Sequence, residues 1–308
     1  MKDKKKKPPF LSRIIKALGI IALLYLVAFG IQFVIPKAPE STFSNHVPNR
    51  PLTIAHRGGV HLWPENTIYA FQNALDIGSD VLEMDLYITS DGIPVVIHDD
   101  TLDRTTNGSG LVSDFTLTQL QGLDAGYRFT PLNQPNQFPY RGQGIRIPTL
   151  EEVFRQFPNT PMIIEIKKDD PVLIRRTGEL VQQFNREHLT KVGSFSSRIL
   201  DDFRNQFPGI ETGAGTNEVT LFYVLHRLFL SGYVIPRATG FQVPEFQGPL
   251  HVANRRFIAD AQRKGLRVDA WTINDESTMI RLLDAGIDGL ITDRPDLAVR
   301  LIRQRFPD

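Results

Sequence analysis

The alternation of strand and helix patterns along the last 250 or so residues is the feature that most restricts the fold of this chain. Short β-branched runs predict strands at residues 52–56, 81–88, 93–98, 162–167, 192–195, 210–214, 240–243, 266–272 and 289–292. Helical patterns lie between most of them, at residues 67–77, 150–157, 171–184, 197–207, 254–264, 276–285 and 295–303. This rhythm is typical of an α/β, TIM-like (β/α)8 barrel.

The sequence around Asp91-Gly92 indicates which of the predicted strands is additional to the barrel. An Asp-Gly pair flanked by alternating apolar residues is typical of a β-hairpin. Residues 93–98 should therefore run antiparallel to residues 81–88, with His98 opposite Asp85, which leaves eight parallel strands. The segment 102–147 is rich in Gly, Pro, Asn and Gln, and we expect it to be an insertion over the carboxyl ends of the strands.

Charge is unevenly distributed along the chain. The formal net charge is +1, but residues 1–16 hold seven basic residues and one acidic residue, a charge of +6 that leaves −5 on residues 17–308. Nucleic-acid-binding proteins carry their basic surface on the folded domain, so this distribution argues against nucleic acid as a partner. The chain has no cysteine, which excludes thiol chemistry and thiolate metal sites.

Residues 17–35 carry no formal charge and are long enough to cross a bilayer at about 1.5 Å per residue. We expect a single transmembrane anchor, with the basic tail 1–16 in the cytoplasm and the body on the outer side of the cell membrane. The alternatives are a cleaved signal peptide and, less in keeping with the lack of a polar face, a soluble helix. Residues 36–50 are predicted to be a linker, and residues 51–308 the barrel.

Acidic side chains fall at the carboxyl ends of two predicted strands, where barrel enzymes carry their active sites. Period-2 alternation puts Glu83 and Asp85 on one face of their strand and likewise pairs Glu165 with Lys167. Burial of a carboxylate is costly unless the group is paired or binds a cation. Three such groups indicate a site for one hard divalent cation, Mg²⁺ or Ca²⁺, with a structural ion-pair network as the alternative.

Two histidines end neighbouring predicted strands. His56 ends the first strand and His98 ends the hairpin strand, so both should flank the carboxylates. A histidine pair of this kind suits general acid and base in a displacement at phosphorus. Arg57 and Lys167 are predicted to bind phosphate, and Trp271 stands at another strand end among the substrate-binding candidates.

Two residues at the start of a predicted helix are also candidates. Glu65 is expected to support His56 or Arg57, and Asn66 to be the helix N-cap. The remaining histidines have no evident carboxylate partner in the sequence, so we expect them to be structural: His46, His61, His188, His226 and His251. The apolar stretch 218–235 predicts either a buried barrel helix or a surface that touches lipid or an acyl chain.

Several motifs together resemble the glycerophosphodiester phosphodiesterase family. They cover nearly all of residues 52–300: IAHRGG (54–59), PENT (64–67), LEMDLYITSDGIPVVIHDDTLDRTT (82–106), RIPTLEEVF (146–154), IIEIK (163–167), WTIN (271–274) and GLITDRP (289–295). The resemblance implies a TIM-like barrel that cleaves glycerophosphodiesters to glycerol 3-phosphate and an alcohol. It also implies a divalent cation on Glu83, Asp85 and Glu165, with His56 and His98 as the acid–base pair.

The substrate could also be a lipid. Residues 251–274, together with the apolar stretch before FQVP, resemble the branch of the family that includes lysophospholipase D enzymes, which makes a lysophospholipid the alternative substrate. A non-catalytic lipid- or phosphate-binding module on a membrane stalk is a third hypothesis. No feature of the sequence indicates an oligomeric state.

Overall fold

Eight parallel strands enclose the centre of the protein in a computed structural model, which describes residues 10–307. Five of the lysines in the predicted basic tail fall in residues 1–9 and lie outside the described residues. The barrel strands are β1 (Leu52–Ala55), β2 (Val81–Ile88), β4 (Met162–Ile166), β5 (Thr190–Gly193), β6 (Glu211–Thr212), β7 (Gly240–Pro244), β10 (Arg267–Trp271) and β11 (Gly289–Thr292).

The strands follow one another around the barrel in the order β6-β5-β4-β2-β1-β11-β10-β7. A parallel bridge between Gly213 and Gly240 brings the two end strands together and nearly closes the ring. The predicted (β/α)8 barrel is therefore confirmed.

Helices follow most strands and cover the outside of the barrel. They are α2 (Ile68–Asp76), α4 (Leu150–Gln156), α5 (Pro171–Gln183), α6 (Ser197–Gln206), α7 (Thr216–Arg227), α8 (Arg255–Arg263), α9 (Glu276–Ala285) and α10 (Pro295–Arg305). The short helix α3 (Leu117–Gln121) lies in the segment between the hairpin and α4. Strand β2 shows how the barrel wall separates apolar side chains from acidic ones. Leu82, Met84 and Leu86 are fully buried in the apolar layer beneath the helices. Alternation then turns Glu83 and Asp85 toward the barrel interior.

The hairpin strand is present, with a register that differs from the prediction. Strand β3 (Pro94–Val96) pairs antiparallel with β2, and Val96 lies opposite Leu86. The prediction that His98 lies opposite Asp85 is wrong by one residue, and His98 follows the strand instead of ending it. The cause is that Thr89 and Ile93 close the turn, through a bond from the Thr89 amide to the Ile93 carbonyl.

The insertion after the hairpin has a small apolar core of its own. It contains a short helix, α3, and packs against Val95 and Ile97 of the hairpin through Leu102, Val112 and Leu120. This core explains why a segment so rich in turn residues holds a defined position beside the barrel strands.

Residues 36–50, expected to be a linker, pack against the amino end of the barrel. Phe43 is buried with Leu52 and Ile54 in an apolar cluster beneath the strands. Glu211 on β6 accepts hydrogen bonds from Ser41 Oγ at 2.8 Å and from the Phe43 amide at 2.8 Å. The segment thus covers this end of the barrel as well as connecting it to the N-terminal helix.

The apolar N-terminal stretch forms a long exposed helix. Helix α1 (Phe10–Ile31) continues into a short 3₁₀ turn, Gln32–Val34. Residues Arg13–Val34 are long and apolar enough to cross a membrane, with a mean hydropathy of 2.5. The most apolar 18 residues of this segment are not buried against the rest of the protein. A signal sequence has the same properties.

The apolar stretch 218–235 is neither one helix nor fully buried. Helix α7 ends at Arg227, and a 3₁₀ turn follows at Ser231–Tyr233. Leu221, Val224 and Leu228 are each more than half exposed, so the expectation of a buried barrel helix is wrong. Beyond β7, a small hairpin of β8 (Phe246–Gln247) and β9 (Leu250–His251) lies where no strand was predicted.

Candidate active site

Three carboxylates meet inside the barrel near the carboxyl ends of β2 and β4. Asp85 pairs in register with Glu165 on the neighbouring strand, and Glu83 lies one alternation before Asp85. One oxygen from each of Glu83, Asp85 and Glu165 lies within 4.8 Å of the others. A set of hard oxygen donors at this spacing could hold a divalent cation.

The two glutamates of this group, Glu83 and Glu165, have raised pKa values. Burial raises the pKa of Glu83 to about 8, and the charge of Asp85 adds to the effect. Burial also raises the pKa of Glu165, although the charge of Lys167 opposes it. A further positive charge, such as that of a bound cation, would stabilise the ionised forms of Glu83 and Glu165.

His56 follows β1 and is held by an aspartate that directly follows the adjacent strand, β11. Its Nδ1 lies 2.6 Å from Asp293 Oδ1, and Asn274 Nδ2 donates to the other oxygen of Asp293 at 2.7 Å. Burial alone would lower the pKa of His56, but the bond to Asp293 and the charge of Glu83 raise it. The role expected of Glu65 at His56 is thus filled by Asp293, which was not predicted. Its position directly after a barrel strand, in GLITDRP, could have identified it.

Arg57 turns sharply away from β1 and links two of the carboxylates. It adopts a left-handed backbone conformation with φ 51°. Its amide donates to Glu83 Oε2 at 3.0 Å, while its Nε lies 3.1 Å from Asp85 Oδ2. Gly58 follows with φ +83°, and a Cβ there would come within 2.7 Å of Ala70 Cβ. The turn after the histidine therefore requires glycine.

The helix start at PENT contributes two side chains. Asn66 is not the N-cap of α2, because Thr67 accepts the capping bond from the Ala70 amide. Asn66 instead donates to Asp85 Oδ2 at 3.0 Å. Glu65 accepts a hydrogen bond from Arg57 Nη1 at 3.1 Å. Of the two partners predicted for Glu65, His56 and Arg57, it therefore contacts Arg57.

The insertion reaches the same site through Arg104, which was not predicted. Its guanidinium donates to Glu65 Oε2 at 2.6 Å and to Asp99 Oδ2 at 2.6 Å. Asp99 in turn lies 2.6 Å from Nδ1 of His98. Arg104 thus joins the helix start to the second histidine.

His98 faces the carboxylates through Lys167. Its Nε2 lies 3.1 Å from Lys167 Nζ, and the same ammonium lies 3.3 Å from Glu165 and 3.5 Å from Asp85. Burial lowers the pKa of His98 despite the charge of Asp85 and the bond to Asp99. Because the ammonium only donates, this contact favours a neutral imidazole that donates from Nδ1.

A cavity of about 720 Å³ joins these groups to an apolar wall. The polar part is lined by His56, Arg57, Glu83, His98, Glu165 and Lys167. Phe195, Tyr223, Leu250 and Trp271 line the other part, and the Phe195 and Trp271 rings meet edge to face at 5.5 Å. The predicted candidates are therefore brought together, and Asp85 and Glu65 each contact Arg57 behind the lining.

Two of the histidines expected to be structural do have carboxylate partners. His226 is buried, and its Nδ1 lies 2.6 Å from Asp260 on α8. His61 Nε2 lies 3.7 Å from Asp293 Oδ2. The expectation that these histidines lack such partners is wrong, because the partners are distant in sequence and come close only in the folded barrel.

The fold and the site together define a class of protein. A (β/α)8 barrel with carboxylates, histidines and cationic side chains at the carboxyl ends of its strands is suited to hydrolysis of a phosphoric diester. Comparison with known proteins identifies the family within this class. Residues 56–297 match the glycerophosphoryl diester phosphodiesterase family.

Relatives and solved structures agree with this match. A glycerophosphodiester phosphodiesterase of Caldanaerobacter subterraneus is 32% identical over 83% of this chain and 99% of its own length. A lysophospholipase D of Rattus norvegicus is 34% identical over 79% of this chain and 83% of its own. A phosphodiesterase of Oleispira antarctica, solved with the product sn-glycerol-3-phosphate, aligns with a TM-score of 0.68 at 27% identity over 85% of this chain and 99% of that one.

The chain belongs to the glycerophosphoryl diester phosphodiesterase family and is a phosphoric diester hydrolase. The hypothesis of a non-catalytic binding module is set aside.

Proposed function

We propose that the protein hydrolyses glycerophosphodiesters to glycerol 3-phosphate and an alcohol, with one divalent cation and two catalytic histidines. The observation that carries the proposal is the meeting of three carboxylates and two histidines in one cavity of a chain that belongs to this family. Glu83, Asp85 and Glu165 would hold the cation, Mg²⁺ or Ca²⁺, because all three offer hard oxygen donors. When bound, the cation polarises the phosphodiester and neutralises its developing charge.

The histidines divide the proton transfers. His98 accepts the proton of the attacking oxygen, which belongs to water or to a substrate hydroxyl, since its contact with Lys167 keeps the imidazole neutral. His56 is the proton donor to the leaving alcohol, since the carboxylate of Asp293 stabilises its imidazolium form. Arg57 and Lys167 bind the phosphate oxygens, and Trp271 contacts the remainder of the substrate. Glu65 positions Arg57 through the bond between their side chains.

The test is turnover of glycerophosphocholine by the full chain reconstituted with Mg²⁺ or Ca²⁺, with glycerol 3-phosphate measured as the product. His56→Ala and Glu83→Ala should each abolish turnover while the circular dichroism spectrum stays that of the wild type. Wild-type rates in both variants would overturn the site assignment. Analysis of the product for a cyclic phosphate distinguishes attack by water from attack by a substrate hydroxyl.

A lysophospholipid is the second candidate substrate. The apolar wall of the cavity, which includes Phe195, Tyr223 and Leu250, favours it because an acyl chain needs an apolar surface. Relatives named lysophospholipase D are 34% identical to this chain over 265 residues. Rates measured side by side on glycerophosphocholine and lysophosphatidylcholine decide between the two substrates.

We also propose that residues 17–35 anchor the protein in the cell membrane as a single pass, with residues 1–16 in the cytoplasm and the barrel, residues 51–308, on the outer side. The length and hydropathy of Arg13–Val34 support a membrane span, and the seven basic residues in residues 1–16 support the orientation. An intact chain in the membrane fraction, with its barrel cleaved by external protease, is the expected result. A shortened chain in the medium would indicate a cleaved signal peptide instead.

A further inference from the structure

Helix α7 presents two different faces. Val219 and Tyr223 line the active-site cavity, whereas Leu221, Val224 and Leu228 lie on the outer face and are each more than half exposed. The outer residues are three and four positions apart, the spacing that places side chains on one side of a helix. The helix is therefore a wall between the cavity and an apolar outer surface.

This outer surface continues past the helix. Phe229 is 52% exposed and Ile235, after the 3₁₀ turn, is 67% exposed, so five large apolar side chains are exposed between residues 221 and 235. We name Leu221, Val224, Leu228, Phe229 and Ile235 the α7 apolar face. Several large exposed apolar side chains in one short segment are typical of an interaction site.

Hydrogen bonds fix the α7 apolar face against helix α1. Tyr25 Oη donates to the Leu228 carbonyl at 2.9 Å, and Gln32 Nε2 donates to the Phe229 carbonyl at 2.9 Å. Tyr233 Oη donates to the Ala28 carbonyl at 2.9 Å. The face thus lies beside the last two turns of α1 and is continuous with its exposed apolar surface.

The position of Tyr25 on α1 sets the depth of these contacts. Tyr25 precedes Val34, the end of the membrane-length segment, by nine residues, or roughly 14 Å at the rise of an α-helix. One leaflet of the hydrocarbon core is about 15 Å thick. Gln32, which bonds Phe229, precedes Val34 by only two residues, or roughly 3 Å. When residues 13–34 cross a bilayer, Leu228 and Phe229 therefore lie within one leaflet, between the outer edge of the acyl chains and a depth of roughly 14 Å.

We propose that the α7 apolar face docks into the leaflet of the bilayer on the side of the barrel. The proposal rests on the membrane anchoring put forward above, and its occupant is the acyl-chain region of the same membrane. Arg256 supports this orientation, since its guanidinium lies 4.1 Å from the centre of the Phe229 ring and its charge suits lipid phosphates at the rim. Because α7 also forms the cavity wall, docking brings the cavity beside the lipids.

The absence of cysteine makes a direct test available. Single variants Leu24→Cys, Leu228→Cys and Leu132→Cys are labelled with a fluorophore that nitroxides quench. The full chain is then reconstituted into phosphatidylcholine–phosphatidylglycerol vesicles with nitroxides on the acyl chains. The label at residue 24, on α1, reports whether this helix lies among the acyl chains. Leu132 in the insertion is the matched control, because it is 56% exposed and Leu228 is 52% exposed.

Strong quenching at residues 24 and 228, with none at residue 132, is the expected result. Quenching at residue 24 with residue 228 unquenched like residue 132 would overturn the docking surface and leave the anchor intact. If residue 24 is unquenched as well, the anchoring fails and this inference fails with it. The hydrolase activity is measured on soluble glycerophosphocholine and is independent of all three outcomes.

A functional readout accompanies the fluorescence. Leu228→Glu should lower the rate on lysophosphatidylcholine in vesicles about tenfold, because it places a charge among the acyl chains. The same variant should keep its rate on soluble glycerophosphocholine, and Leu132→Glu should keep both rates. Equal rates for Leu228→Glu and the wild type on both substrates would contradict docking.

Discussion

Glu83 and Glu211 both lie on barrel strands, and the protein shifts the pKa values of their carboxyl groups in opposite directions. Burial and the neighbouring Asp85 raise the pKa of Glu83 to about 8. Burial would also raise the pKa of Glu211, but the Phe43 amide and the charge of Lys191 lower it below its ordinary value. The first glutamate lies near the carboxyl ends of the strands and the second at the amino end.

The difference lies in what surrounds each carboxylate. Donors converge on Glu211 from the segment that covers the amino end of the barrel and from Thr239, whose hydroxyl donates at 2.8 Å. Glu83 faces two other carboxylates within 4.8 Å. A carboxylate that protein donors satisfy stabilises the fold, whereas a buried carboxylate that faces other carboxylates is suited to bind a cation with them.

The largest expected effect compares Glu83→Gln with Glu211→Gln. Glu83→Gln should lower the rate of glycerophosphodiester hydrolysis about 10³-fold, because a lost catalytic cation removes several kcal/mol of transition-state stabilisation. Glu211→Gln should keep the wild-type rate wherever it is folded. The measurement is the release of glycerol 3-phosphate at saturating cation. An equal loss of rate in both variants would contradict the different roles of Glu83 and Glu211.

The second prediction uses two histidine–aspartate pairs with the same 2.6 Å separation, His56–Asp293 and His226–Asp260. Asp293→Asn should lower kcat on glycerophosphocholine roughly tenfold to 100-fold and shift the pH profile, because it withdraws the charge that stabilises the His56 imidazolium. Asp260→Asn leaves the cavity untouched and should keep both kcat and the pH profile. An unchanged profile in Asp293→Asn would contradict the positioning role of Asp293.

The third prediction concerns pH in protein freed of metal by a chelator. Since the pKa of Glu83 rises from 4.5 to about 8 on folding, the folded state binds more protons over this range. The stability from that protonation is present below pH 4.5 and is lost as the pH rises through 8. Adding Mg²⁺ or Ca²⁺ should therefore raise Tm more at pH 8 than at pH 5. The same rise in Tm at both pH values would contradict the raised pKa.

The smallest effect is on folding. Glu211→Gln should lower the free energy of unfolding at pH 7 by about 1–3 kcal/mol, because it weakens several charge-assisted hydrogen bonds. The pKa of Glu211 is below 4.5 in the folded state, so its stabilising effect is present above pH 4.5 and is lost as the pH falls through the folded-state value. Urea unfolding at pH 7 and at pH 3 should show the gap between variant and wild type narrowing in acid.

Local patterns were sufficient to predict the barrel and to bring the candidate carboxylates and histidines to one end of it. Strand ends project to a common edge, so reading them in order brings together His56, Glu83 and Glu165 without knowledge of contacts. The hairpin prediction failed by one residue because register depends on how the turn closes, which an Asp-Gly pair alone does not set.

The supporting contacts could not be predicted, because they join residues far apart in the chain. Asp293 lies 237 positions from His56, and Arg104 lies 39 positions from Glu65. Likewise, nothing in residues 36–50 indicated that Phe43 would be buried, since a Pro- and Ser-rich segment with one aromatic residue resembles a linker. These contacts depend on three-dimensional closure of the barrel.

The most direct test of the account is titration of Mg²⁺ and Ca²⁺ into chelator-treated protein by calorimetry, with hydrolysis measured in the same samples. The account predicts one cation bound per chain and recovery of hydrolysis on binding, both lost in Glu165→Gln and both retained in Glu211→Gln. Full hydrolysis by the chelator-treated protein, or cation binding unchanged in Glu165→Gln, would contradict it.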